Sequence, residues 1–270
     1  MKPNPIQGKL AGLSILVVED GADNQRIFRH FLKMAGADFF IVEDGRSALE
    51  RALQDESIDL VLMDIQIPEI DGYEVTERLR NAGFTRPIIA VTAHPLQLEK
   101  PQGAKAGITD FLAKPIQIET LVQTIIKYTR PEPQAAAPEA SPEPAPAVTS
   151  AVEIQDSEPF LLSKYHNNQM YRSIIIEFVR SFQQRIEDMV ALINDMNWEK
   201  LGFALHQMKG AAATYGYPQV SEIAAQMEHT AKEARRDVHA VQTIRKQAEH
   251  MRGMGIRMQS GLDGFENRTV

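Results

Sequence analysis

Two patterns of apolar and polar positions divide the chain. Up to about residue 130, short and nearly unbroken apolar runs alternate with stretches of helical period. Leu13–Val18, Phe39–Val42, Leu60–Met63, Ile88–Val91 and a short Phe111–Leu112 predict five strands. Between and after them, Asn24–Met34, Arg46–Gln54, Tyr73–Asn81, Gln97–Ala106 and Ile118–Tyr128 predict helices. Runs this apolar suit strands buried on both faces, so five βα units predict a parallel sheet covered by helices on either side.

The second pattern follows a break. Pro131–Val148 holds six of the fifteen prolines, six alanines and three glutamates, with no aromatic residue. Such a segment has too little apolar surface to offset its ordering entropy. A Pro/Ala stretch of this kind is a semi-stiff spacer, able to span roughly 55 Å at about 3.1 Å per residue. Beyond it no run reads as a strand. Gln169–Asp195, Trp198–Tyr215, Pro218–Arg235 and Val238–Gly261 predict four helices with short breaks between them. Short connections favour antiparallel neighbours and hence an up-down four-helix bundle. The expected division is 12–130, a linker at 131–157, and a bundle at 158–262.

Composition narrows the chemistry. The absence of cysteine among 270 residues removes disulfides, thiolate metal sites and a cysteine nucleophile. A net charge of −7 argues against a general nucleic-acid binder. No apolar run reaches the roughly 18 residues of a membrane span. The first residues carry no signal-peptide h-region, so a cytoplasmic location is expected.

Open parallel sheets bind ligands beyond the carboxyl ends of their strands. Glu19 and Asp20 follow the first predicted strand, Asp64 the third and Thr92 the fourth, while Lys114 follows the fifth. Each has an ordinary reading alone, as a cap, a strand residue or a solvated lysine. Three carboxylates at one rim, however, repel unless a cation or proton joins them. Oxygen donors suit Mg²⁺, which binds through one or two carboxylates together with phosphate oxygens.

These residues also carry a resemblance. LSILVVEDGADNQ at Leu13–Gln25, LVLMDIQIPEIDG at Leu60–Gly72, IIAVTAH at Ile88–His94 and DFLAKPI at Asp110–Ile116 resemble, in order and spacing, a response-regulator receiver domain. Gly21 departs from the family, where Asn is frequent, but the acidic pair before it is intact. The resemblance implies a flavodoxin-like sheet of order 2-1-3-4-5, with Asp64 as phosphoacceptor. It implies Mg²⁺ held by Asp20, Asp64 and the main-chain carbonyl of Gln66, with Glu19 acting through water. Lys114 and Thr92 would contact phosphoryl oxygens, and Phe111 would stand in the place of the switch aromatic. It further implies a cis peptide between Lys114 and Pro115.

Helix Trp198–Tyr215 contains LHQMKGAAATYG. At about 100° per residue Leu201, Ala204, Leu205, Met208, Ala211, Ala212 and Tyr215 form one apolar stripe, and His206 lies roughly 160° from its centre. His206 is therefore expected at the solvent surface in mid-helix. Gly210 and Ala213 share its face. Glycine costs about 1 kcal/mol in a helix interior, so an outward Gly210 suggests a surface cleared for another protein. Lys209 is placed to meet a phosphoryl group on the imidazole, and Phe203 adds an apolar contact for docking. A metal site is disfavoured, since no second histidine stands at i+4. The stretch resembles a histidine phosphotransfer (HPt) domain through His206, Lys209, Gly210 and Gly216.

Together the resemblances imply a phosphorelay arrangement like the C-terminal part of hybrid sensor histidine kinases. A sensor histidine kinase would donate to Asp64, and His206 would pass the group to a downstream response-regulator receiver. No ATP-binding glycine-rich boxes are recognisable, so the chain is expected to be a free-standing relay protein or a piece of a longer kinase. The alternatives are a non-catalytic adaptor, and a sink in which transfer runs back from His206 to Asp64 and then to water.

Overall fold

The computed structural model describes residues 6–92, 99–130, 160–234 and 237–266. The Pro/Ala-rich segment, His94 and the predicted helix start at Gln97 lie outside these residues. The first domain runs β1 (Ser14–Val18), α1 (Ala22–Ala35), β2 (Asp38–Val42), α2 (Gly45–Gln54), β3 (Leu60–Asp64), α3 (Gly72–Asn81), β4 (Ile88–Thr92), α4 (Glu99–Ala106), β5 (Asp110–Ala113) and α5 (Ile118–Thr129). All four strand pairings are parallel, in the order β2-β1-β3-β4-β5. This is the flavodoxin-like order that the resemblance implied.

The strand pleat sorts the apolar residues between two layers. Ile15, Val17, Leu60, Leu62, Ile89 and Val91 join the core that also holds Ile27, Phe31, Leu121 and Ile125 of α1 and α5. Leu16, Val18, Val61, Met63 and Ile88 face Ala48, Ala52, Val75 and Leu79 of α2 and α3. Strands β3 and β4 each run one residue past their apolar stretch, taking in Asp64 and Thr92. Backbone pairing rather than hydrophobicity sets that end, and it places the polar residue at the sheet edge. Helix starts follow local chemistry: Asp44 and Asp71 accept from the N–H groups of Ser47 and Glu74, each at 2.8 Å.

The second domain contains α6 (Arg172–Asn194), α7 (Trp198–Thr214), α8 (Pro218–Ala234) and α9 (Val238–Glu266). Helix α8 packs between α7 and α9, and α6 closes the bundle against both. Phe178, Phe182, Leu205, Met208, Met227, Ile244 and Met251 fill its core. That core continues into the first domain: the ring of Phe31 on α1 meets Tyr171 edge-on at 5.3 Å. The two domains are thus packed together, which the sequence reading did not anticipate.

Candidate functional site

The carboxyl ends of β1 and β3, with the turn after β5, bring Glu19, Asp20, Asp64 and Lys114 to one sheet edge. Lys114 Nζ donates to Asp64 Oδ2 at 2.6 Å and to Glu19 Oε2 at 3.1 Å. The Lys114–Pro115 peptide is cis. Asn24 Nδ2 and the Gly21 N–H donate to the other Glu19 oxygen at 2.9 and 3.1 Å. The Gln66 N–H donates to Asp64 Oδ1 at 2.9 Å. Thr92 is buried at the end of β4, where its carbonyl accepts from the Lys114 N–H at 2.7 Å. Phe111 on β5 packs with Ile65, Tyr73, Ala90 and Ala106. Glycine is needed at position 72, because a β-carbon there would lie 2.4 Å from the carbonyl oxygen of Asp64.

Like charges crowd this edge. Burial raises the Glu19 carboxyl well above the usual range, and Asp64 adds to the rise against the opposing pull of Lys114. Burial, then the neighbouring Asp64, pushes Asp20 up to about 6. Burial alone would lower the Lys114 ammonium, but Glu19 and Asp64 outweigh it and hold it above its ordinary value. One oxygen from each of Glu19, Asp20 and Asp64 lies within 4.8 Å of the others. One ammonium does not balance three carboxylates. The donor set therefore fits a hard divalent cation.

The bundle completes this cleft. Glu19, Asp20, Asn24, Asp64, Gln66 and Lys114 line it from the first domain; Phe203, His206, Gln207, Lys209 and Gly210 line it from α7. His206 is consequently only 23% exposed, contrary to the expected open surface. The helical arithmetic turned it away from the bundle core correctly, but the first domain covers that face. His206 Nδ1 stands 3.4 Å from Glu228 Oε1 on α8. Lys209 Nζ donates to the other Glu228 oxygen at 3.3 Å, so in this arrangement the lysine holds Glu228. Burial lowers the His206 imidazole below its ordinary value; Lys209 and Lys114 add to this while Glu228 opposes it. Phe203 is 44% exposed at the mouth of the cleft. From there a wider groove runs between Gln66–Glu69 and Asn197–Phe203. Ala213, on the same helix face, is half-buried.

Family models bear on the two halves separately. Residues 15–126 match the response regulator receiver domain, and residues 173–254 match the Hpt domain. The chain joins a receiver to an Hpt domain. Similar curated proteins include the sensor histidine kinase GacS of Pseudomonas protegens, 30% identical over 76% of this chain and 23% of that protein. The histidine-protein kinase BarA of Shigella flexneri is 27% identical over 82% of this chain and 24% of its own length. The chain thus spans about a quarter of the length of these relatives. The receiver domain of a Pseudomonas aeruginosa sensor histidine kinase is 35% identical over 44% of this chain and 98% of that structure, with a TM-score of 0.42. Among the described residues, no helix is long and apolar enough to cross a membrane.

Several residues of the receiver–Hpt site escaped the sequence reading. Gln207 Nε2 donates across the domains to Asp20 Oδ2 at 3.4 Å. Arg185 on α6 forms an ion pair with Asp23 on α1. Tyr215 OH donates to the Asp23 carbonyl at 3.4 Å, and the Ile116 N–H donates to Thr214 Oγ1 at 3.2 Å. Of these, only Gln207 had a signal, as the neighbour of His206 on the outward face.

Proposed function

We propose that this two-component phosphorelay protein carries a phosphoryl group first on Asp64 and then on His206 of the same chain. The observation that supports this reading is the single cleft lined by both residues together with Lys114 and Asp20. An Asp64 oxygen bonds to phosphorus as the N–P bond of a donor phosphohistidine breaks, and the donor nitrogen keeps the electron pair. Lys114 faces the incoming negative charge, and the Gln66 N–H fixes the other Asp64 oxygen. Asp20, Asp64 and the Gln66 carbonyl would hold Mg²⁺, with Glu19 acting through water, and the ion would supply charge compensation to phosphoryl oxygens when bound.

In the second step a nitrogen of His206 attacks phosphorus. The Asp64 O–P bond breaks and the carboxylate is regenerated. Glu228 beside Nδ1 favours the tautomer with its proton there, leaving Nε2 as the nucleophile. The positive charge that develops on the ring forms against the Glu228 carboxylate. Thr92 is assigned to the Asp64 phosphoryl group and Phe111 to the associated switch. Phe203, Gly210 and Ala213 form the docking face. The donor is a sensor histidine kinase, and the acceptor after His206 is a downstream response-regulator receiver.

The test is a label-mapping experiment with a phosphorylated histidine kinase as donor. Wild type should carry label on Asp64 and then His206, Asp64→Ala on neither, and His206→Gln on Asp64 alone. An equimolar mixture of Asp64→Ala and His206→Gln chains should label His206 slowly and with second-order dependence on concentration. Label on His206 of Asp64→Ala alone would sink the order of transfer.

A further inference from the structure

Contacts across the receiver–Hpt interface differ in what they can recognise. The Tyr215 hydroxyl and the Ile116 N–H bind partners through backbone atoms of the receiver, and His30 Nε2 lies 2.6 Å from the Met170 carbonyl of the Hpt side. Gln207 binds Asp20, a carboxylate that phosphorylation itself requires. Phe31 and Tyr171 contribute apolar area, which holds but discriminates weakly. Among the described residues, two further contacts read receiver side chains with no part in the chemistry: Arg185 with Asp23, and Glu177 with Arg26.

These two are linked, since Arg26 Nη1 also stands 3.6 Å from Asp23 Oδ1, but they differ in surroundings. Arg26 and Glu177 pair at 3.1 Å with side chains 40% and 55% exposed, so solvent and salt screen them. Asp23 and Arg185 are 11% and 19% exposed. Arg185 is further fixed by Ser181 Oγ at 2.9 Å and by the Phe178 ring, 5.4 Å from its guanidinium carbon. A receiver lacking the carboxylate would leave this arginine desolvated without a counter-charge, a penalty that acts against the wrong partner.

We propose that Asp23 and Arg185 are the specificity-determining pair by which this Hpt domain selects its own receiver. Receivers without an acid at the Asp23 position are rejected. This rests on the reading of Asp64 and His206 as phosphoryl carriers.

Full-length chains loaded at Asp64 with labelled acetyl phosphate provide the test. Acetate leaves as Asp64 takes the phosphoryl group, so no kinase docking is needed. Wild type, Asp23→Arg, Arg185→Asp and the double exchange are compared for Asp64 label and for its transfer to His206, with circular dichroism as a check of folding. Each single variant should transfer at least about tenfold more slowly, about 1.4 kcal/mol at the barrier. The double exchange should transfer at least about threefold faster than either single variant, short of wild type because Arg26, now 3.6 Å from Asp23, then meets a like charge; a merely structural role would not give this rescue. In trans, an Asp23→Arg/His206→Gln donor should label an Arg185→Asp/Asp64→Ala acceptor faster than it labels Asp64→Ala alone. Label on Asp64 with equal transfer in all four chains overturns the pair and leaves the relay standing. So does slow transfer in folded single variants without rescue. Absence of label on wild-type Asp64 overturns the relay reading, and the pair with it.

Discussion

Gly210 of the Hpt domain faces Lys114 of the receiver: a β-carbon on the glycine would lie 3.8 Å from the lysine Cδ. That is ordinary contact, with no spare room beyond it. A methyl group fits, whereas a longer side chain must displace the lysine or separate the domains.

Gly210→Ala should therefore transfer phosphate from Asp64 to His206 within about twofold of wild type, and Gly210→Gln at least about tenfold more slowly. Both substitutions favour the helix over glycine by up to about 1 kcal/mol, so the bundle should remain folded. Single-turnover transfer read beside far-ultraviolet circular dichroism checks this. A folded Gly210→Gln chain that transfers at the wild-type rate would show that the face is not used.

Lys114→Met should destabilise the receiver as well as impair phosphorylation. Lys114 is 6% exposed and bonds two buried carboxylates. Removing one partner of a buried ion pair costs about 3–5 kcal/mol. Proton uptake by Glu19, already raised by burial, should bring the loss toward the lower figure. Urea denaturation at neutral pH, with the slope unchanged, measures it.

Millimolar Mg²⁺ should raise the melting temperature of the wild type. A ligand present at about 100 times its Kd adds roughly 2.7 kcal/mol to folding. Asp20→Ala removes one of the three converging carboxylates, and its melting temperature should respond much less to the ion. Calorimetric scans with Mg²⁺ and with a chelator distinguish the two variants.

Transfer to His206 should keep its rate to lower pH than an ordinary imidazole allows. Burial depresses the folded-state value, so the ring stays neutral below about pH 6.5, the unfolded value. The unfolded chain takes up the proton first as pH falls. The site's contribution to stability is therefore complete above the unfolded value and declines below it. Glu228→Gln removes the opposing carboxylate, so the inflection of the pH–rate profile should move further down. The plateau rate should fall by about tenfold, since the phosphoimidazole loses its counter-charge. An inflection at higher pH in Glu228→Gln would contradict this role.

Legibility of the molecule followed the range of the forces involved. The three central strands were visible because burial on both faces demands unbroken apolar runs, as Leu60–Met63 shows. Glu19, Asp20, Asp64 and Lys114 could be gathered at one edge because parallel order puts every strand end on the same side. Helical periodicity turned His206 away from the bundle core. It could not tell that Gln207 would reach Asp20, or that Asp23 would meet Arg185 across 162 positions of sequence. Contacts between domains leave no period in either helix. Glu228 was missed for a similar reason, since its helix follows a turn and only packing brings it to His206.

The cleft shared by Asp64 and His206 also fixes how the system answers to dilution. Two sites already held in one cleft meet without a bimolecular encounter. On the proposed relay, exchange between them would be first-order and indifferent to how many copies a cell holds. On the same reading an outside receiver would have to displace the resident one, so its share of the phosphoryl group would depend on how often the two domains separate.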